Sequence, residues 1–316
     1  MAERVPEDSA TYAEFSRLYD LAARLQPNGV TRWNGELHAS GRTGYFDQRT
    51  GAIAMNASLL RDGLPGKDPR SHARAVATVL HRATQAGMPL DAPGDPNGVR
   101  DGRSLALSDG VASVRAADAF NTLTRMAGYP HLVFDPSQNT GAYAAANGLV
   151  HQVSGTRVDR AQVMDDLVRG PVAMQFDQLA DAVVRNRLWD RVEPQDQQAV
   201  RRQLIDTMLH PAWEKLSGGS PEAGRHVADE ISRALNAKVD EIGRGSRRAD
   251  QSASADGSDV ESAVSTQAEQ APAARFLTGT AHASGAAAHV PSLGDGSRAQ
   301  ARRGTAAAHQ QPGVIR

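Results

Sequence analysis

Apolar residues recur at helical spacing along most of the first 243 positions of the chain. One segment begins at Ser104 or Ser108 and ends at Ala127, with an apolar face turned to one side. The last segment begins with Pro221 directly after Ser220, a favourable helix start. The remaining predicted helices cover residues 11–25, 71–86, 143–153, 158–167, 174–188 and 197–209. The pattern therefore predicts a mainly helical protein.

One stretch breaks the helical pattern. The segments 44–47 and 51–55 are short and partly apolar, and they flank a turn at residues 48–50. Two such runs around a polar turn are typical of a β-hairpin. The predicted fold class is therefore mainly α (α+β), a helical domain with one small hairpin or sheet.

The composition changes after Gly243. Residues 244–316 are rich in Ala, Ser, Gly and Gln and have almost no periodic apolar face. Such a segment buries too little apolar surface to offset the entropy of ordering. We predict a disordered N-terminus at residues 1–10, a folded domain at residues 11–243 and a disordered low-complexity tail at residues 244–316.

Charge and cysteine content narrow the class of protein. Lys and Arg number 35 against 36 Asp and Glu, for a formal net charge of -1. The chain as a whole therefore has no positive electrostatic field that would favour binding to nucleic acid or to an anionic membrane. The sequence has no cysteine, which excludes disulfides, thiolate catalysis and Cys-ligated zinc. No run approaches the roughly 18–20 apolar residues that span a bilayer, and residues 1–10 lack the apolar core of a signal peptide. We expect a cytoplasmic protein with no membrane or nucleic-acid partner.

The predicted helix 71–86 contains candidate chemistry at His81, Arg82 and Gln85. Residues four apart lie on one helix face, so the side chains of His81 and Gln85 should converge. An apolar run precedes His81, and small residues fill the interval, as in the His-Glu-x-x-His helix of zincin metallopeptidases. The segment resembles that helix. The resemblance makes His81 and Gln85 the two zinc-ligand positions and Arg82 the general-base position.

Asp109 extends the resemblance to the gluzincin type. In gluzincins a third ligand, a Glu often followed by Gly, comes from a later helix; here Asp109 is followed by Gly110. The hairpin upstream of His81 is similar to the strands before the zinc helix in small zincins. The resemblance covers residues 40–190 and implies a zincin-like domain.

The departures from the zincin pattern indicate that activity is lost. The guanidinium of Arg82 stays protonated and cannot act as a base. Gln85 is a poor zinc ligand compared with imidazole, and Asp109 is one methylene shorter than Glu. One His and one Asp fall short of the three protein ligands of a catalytic zinc site. We therefore predict a degenerate metallopeptidase-like protein, a non-catalytic binding or scaffold module with an unidentified protein partner and no cofactor. An Arg82–Asp109 salt bridge is expected to replace the metal as the link between the helices.

Other interpretations remain open at this point. The chain could be an active zinc-dependent peptidase or hydrolase that uses His81, Asp109 and a further ligand. It could also be a helical protein-interaction domain unrelated to zincins. In that case His81 is an ordinary helix histidine, and Asp109-Gly110 is a helix start with Ser108 or Asp109 as its N-cap.

Overall fold

The structure is a computed structural model that describes residues 2–41, 44–136 and 140–261. In these ranges it is mainly helical with one small sheet, as the sequence pattern predicts. The helices are α1 (Ala10–Ala23), α2 (Pro69–Gly87), α3 (Gly102–Met126), α4 (Gly141–Val153), α5 (Arg160–Arg169), α6 (Gln175–Val183), α7 (Gln197–Met208), α8 (Trp213–Leu216) and α9 (Pro221–Glu261). The strands are β1 (Glu3–Arg4), β2 (Leu37–Ser40), β3 (Tyr45–Phe46) and β4 (Ile53–Asn56).

The sheet has the strand order β1-β2-β4-β3. The predicted hairpin is confirmed, because β3 and β4 pair antiparallel, while β2 and β4 are parallel. The prediction of a disordered N-terminus is wrong at β1, where Glu3 pairs with Ala39 of β2. Both residues of β1 are exposed, so backbone pairing holds the strand and no hydrophobic pattern announces it.

Several helix ends differ from the predicted ones. Helix α3 begins at Gly102, where the Asp101 side chain accepts a hydrogen bond from the N–H of Arg103. The N-cap interpretation of Asp109 is therefore wrong, because this residue lies inside the helix. Helix α9 continues to Glu261, beyond the end predicted near residue 242. The rest of the predicted tail, residues 262–316, lies outside the described residues.

The short helix α8 was not predicted. It holds only four residues and begins at Trp213, which is fully buried. The indole N–H of Trp213 donates to the carbonyl of Met208, 3.0 Å away, and its ring meets Phe176 edge-on. This anchoring fixes α8 and the following residue Ser217 beside the start of α3.

Two hydrophobic clusters form the core, and α3 belongs to both. Near its beginning, α3 contributes Leu107 and Val111 to a cluster with α4, α5, α6, α7 and α9. Near its end it contributes Phe120 and Leu123 to a cluster with α1, α2 and the sheet. None of the helices in the described ranges is apolar over a length that would cross a membrane.

Candidate functional site

Helix α2 presents one apolar and one polar face. The apolar face is buried and includes Ala75, Val76, Val79, Leu80 and Ala83. The polar side carries Arg74, Thr78, His81, Arg82 and Gln85, which line two cavities. The periodicity of α2 therefore turns its candidate chemistry away from the core, as expected of an amphipathic helix.

The three ligand positions named from the zincin resemblance lie together. The Nε2 atom of His81 is 3.2 Å from Oδ1 of Asp109, across the α2–α3 packing. The side-chain amide of Gln85 donates to the same oxygen over 3.2 Å. The imidazole N–H is not well aligned with the carboxylate, so the Gln85 bond is the better formed of the two.

Arg82 is buried beside this group, with 7% of its surface exposed. Its Nη1 atom donates to Oε1 of Gln85 over 2.6 Å, and its Nη2 atom donates to the backbone carbonyl of Gly44, next to β3. The predicted direct salt bridge from Arg82 to Asp109 is not formed. Gln85 lies between the two charges and links them through its amide.

The charges of the group influence each other. Burial lowers the pKa of His81, and the charge of Arg82 lowers it further, against the opposing effect of Asp109. Burial alone raises the pKa of Asp109, but the contact with His81, the charge of Arg82 and a hydrogen bond from Ser217 outweigh it and lower the pKa. Burial also lowers the pKa of Arg82. A neutral His81 and an ionised Asp109 follow from these shifts at neutral pH.

Close packing positions Asp109 at this point of α3. A Cβ added to Gly110 would lie 2.3 Å from the carbonyl oxygen of Ala142 and 2.8 Å from Cβ of Ala146 in α4. Only glycine permits this approach of the two helices. The glycine of the Asp-Gly pair that suggests a gluzincin ligand thus has a packing role in this fold.

Two cavities meet at the charged group. We name the larger the cleft; it has a volume of about 900 Å³ and lies between β3, α2, the first turns of α3 and α8. We name the smaller the side cavity; it has a volume of about 450 Å³. Both are lined by Gly44, Arg82, Asp109 and Ser217.

Sequence reasoning missed the wall that α8 provides. Glu214 and Ser217 line the cleft, yet the sequence around Ser217 is typical of a plain linker between helices. The tryptophan at position 213 is a local signal, because a residue of this size favours burial and so fixes the segment beside it. Its proximity to α2 depends on contacts that are distant in the chain.

The residues do not fit a catalytic zinc ion. Within the described ranges, no three or more His, Cys, Asp or Glu side chains are arranged to hold a metal. His81 and Asp109 supply two ligand atoms, while Oε1 of Gln85 is occupied by Arg82. The buried guanidinium adds a positive charge beside the place a cation would take, which opposes cation binding.

No family model, curated protein or solved structure shows significant similarity to this chain.

Proposed function

We propose that this chain is a catalytically degenerate metallopeptidase-like protein that acts as a non-catalytic binding module through the cleft. One observation carries the proposal. The side chains at the metal and base positions of the resemblance form one connected group, in which His81 and Gln85 contact Asp109 and Arg82 contacts Gln85. A buried hydrogen-bonded network of this kind connects two helices and a strand without a metal ion.

The cleft has the properties of a binding surface. Its volume of about 900 Å³ lies within the range of ligand pockets in proteins. Tyr45 of β3 and Leu105 of α3 line it, with 50% and 51% of their surfaces exposed. Apolar and aromatic side chains in a concave site favour a protein segment that buries them. We therefore assign the cleft to a protein partner.

Metal analysis tests the loss of the zinc site. We expect the wild-type protein to hold no zinc after incubation and desalting, and its melting temperature to be unchanged by zinc or by a chelator. The variant Arg82→Glu/Gln85→His/Asp109→Glu restores the full ligand and base set and should bind about one zinc ion per chain. The matched control Arg82→Glu/Asp109→Glu lacks the second His and should bind zinc at least tenfold more weakly.

Stoichiometric zinc in the wild-type protein, or zinc-dependent peptide hydrolysis, would overturn the proposal in favour of an active enzyme. A folded triple variant that binds no zinc would refute descent from a zinc site.

Peptide selection tests the binding role separately. Peptides selected on the wild-type protein from a random displayed library should lose binding to Leu105→Asp, because the substitution places a charge on the cleft wall. The control Val133→Asp changes an apolar side chain that is 78% exposed and does not line the cleft. Selected peptides that bind both variants equally well would show that the cleft is not the binding surface.

A further inference from the structure

The side cavity is rich in hydroxyl groups and arginines. Building on the proposed binding role of the cleft, we infer that the side cavity binds an oxyanion, a phosphate or similar group carried by the occupant of the cleft. The described residues that supply polar groups to it include Ser58, Arg74, Thr78, Arg82 and Thr140.

Arg82 carries a buried positive charge beside the side cavity. Both of its described hydrogen bonds go to neutral acceptors, the amide oxygen of Gln85 and the carbonyl of Gly44. Its Nε atom is buried and has no hydrogen-bond partner. An arginine buried to this extent is usually paired with an anion, since an uncompensated buried charge is costly. Its charge therefore attracts an anionic oxygen in the side cavity, which Arg82 lines.

Arg74 supplies a second cation at the edge of the side cavity. It is exposed, and its guanidinium has no ion-pair or hydrogen-bond partner among the described residues. It precedes Arg82 by eight positions on α2, which corresponds to about 12 Å along the helix axis. Both side chains line the side cavity, and arginine binds phosphate and carboxylate oxygens with paired N–H groups.

Hydroxyl groups line the side cavity together with the two arginines. Thr78 is on the same face of α2 and currently donates to the backbone carbonyl of Arg74 over 2.8 Å. Thr140 accepts a hydrogen bond from the N–H of Tyr143, a bond that does not use the hydroxyl proton of Thr140. Hydroxyl rotors of this kind can reorient to donate to an oxyanion.

The balance of charge separates the side cavity from the cleft. Arg74 and Arg82 face a single carboxylate in the side cavity, Asp109, which is already engaged by His81 and Gln85. Across the described lining of the cleft, three carboxylates oppose two arginines. An anion is therefore favoured in the side cavity over the cleft.

Phosphate titration of the full-length protein tests the inference. Calorimetry in potassium phosphate, with potassium chloride at equal ionic strength as reference, should show saturable binding to the wild-type protein. Arg74→Gln removes the exposed cation and should weaken binding about two- to fivefold, the range for an ion pair with an exposed side chain. Thr78→Val should also weaken it.

The matched control is Arg70→Gln. Arg70 is an exposed arginine on the same helix that does not line the side cavity, so its replacement should leave phosphate binding unchanged. Equal weakening by both arginine substitutions would identify a general charge effect and overturn the inference. Phosphate could also raise the melting temperature of all variants equally, with no saturation as its concentration increases. That result would overturn the inference as well, because it reflects exclusion of phosphate from the protein surface.

Sulfate and acetate identify the head group. Saturable binding of any one of these oxyanions that depends on Arg74 supports the site, and their order of affinity distinguishes phosphate-like from carboxylate ligands. Absence of binding by all of them overturns the inference. That result leaves the proposed function intact, because the proposed function depends on zinc analysis and on peptide selection.

Discussion

Replacement of Asp109 by Ala removes the acceptor that α3 offers to α2. The substitution leaves the side-chain amide of Gln85 without its partner and takes away the anion nearest to the buried Arg82. Asp109 is the point at which the charged group of α2 is tied to α3. We therefore expect Asp109→Ala to destabilise the fold.

The magnitude follows from the contacts. Loss of a hydrogen bond to a charged acceptor costs about 1.5–3 kcal/mol, and breaking a fully buried ion pair costs about 3–5 kcal/mol. Asp109 keeps 23% of its side chain exposed, and its link to Arg82 is indirect, so the lower range applies. A loss of about 1.5–3 kcal/mol lowers the melting temperature of a domain of this size by roughly 3–12 °C.

Thermal and urea unfolding, followed by circular dichroism, measure the effect. Asp109→Asn keeps an oxygen acceptor and removes the charge, so its stability should lie between wild type and Asp109→Ala. Asp118→Ala is the matched control on the same helix, because its ion pair with Arg160 is at the surface and contributes at most about 1 kcal/mol. Equal loss in Asp109→Ala and Asp118→Ala would refute the argued role of the network. A melting temperature that rises with zinc would refute it as well.

Two further predictions concern packing and pH. Gly110→Ala forces a methyl group against the Ala142 carbonyl. We expect urea unfolding to show a free energy of unfolding lower by about 1–3 kcal/mol, or a protein that fails to fold. A variant as stable as the wild type would contradict the close packing of α3 on α4. Burial lowers the pKa of His72 and of His81, so each imidazole is neutral in the fold and takes up a proton on unfolding below about pH 6.5. Stability should therefore fall as the pH drops from about 7 to 5, and His72→Gln should flatten this slope in urea melts at a series of pH values; an unchanged slope would contradict the assigned role of His72.

The sequence predicts the helical class and the hairpin better than it predicts the ends of elements. Periodic apolar positions identify α2 and its polar face, because burial of one face is a local property of the sequence. The side chains of His81 and Gln85 both contact Asp109 across α2 and α3, whereas the predicted Arg82–Asp109 salt bridge is not formed. The role of Gln85 as the bridge to Arg82 could not be predicted, since it depends on the distance between two helices and a strand.

The missed features share a physical cause. Strand β1 is held by backbone pairing with β2 and buries no side chain, so it leaves no hydrophobic pattern. Helix α8 is too short for a periodic signal and is fixed by the burial of Trp213. The start of α3 at Gly102 depends on the cap from Asp101, and several polar residues in this region offer alternative caps. Such choices are decided by tertiary contacts.

The sharing of α3 between two hydrophobic clusters couples their unfolding. Leu107 and Val111 are buried in one cluster, and Phe120 and Leu123 in the other, along a single 25-residue helix. Melting of this helix exposes apolar surface in both clusters at once. The two clusters are therefore expected to unfold in one cooperative transition, and neither half of the chain separated within α3 would retain a complete core.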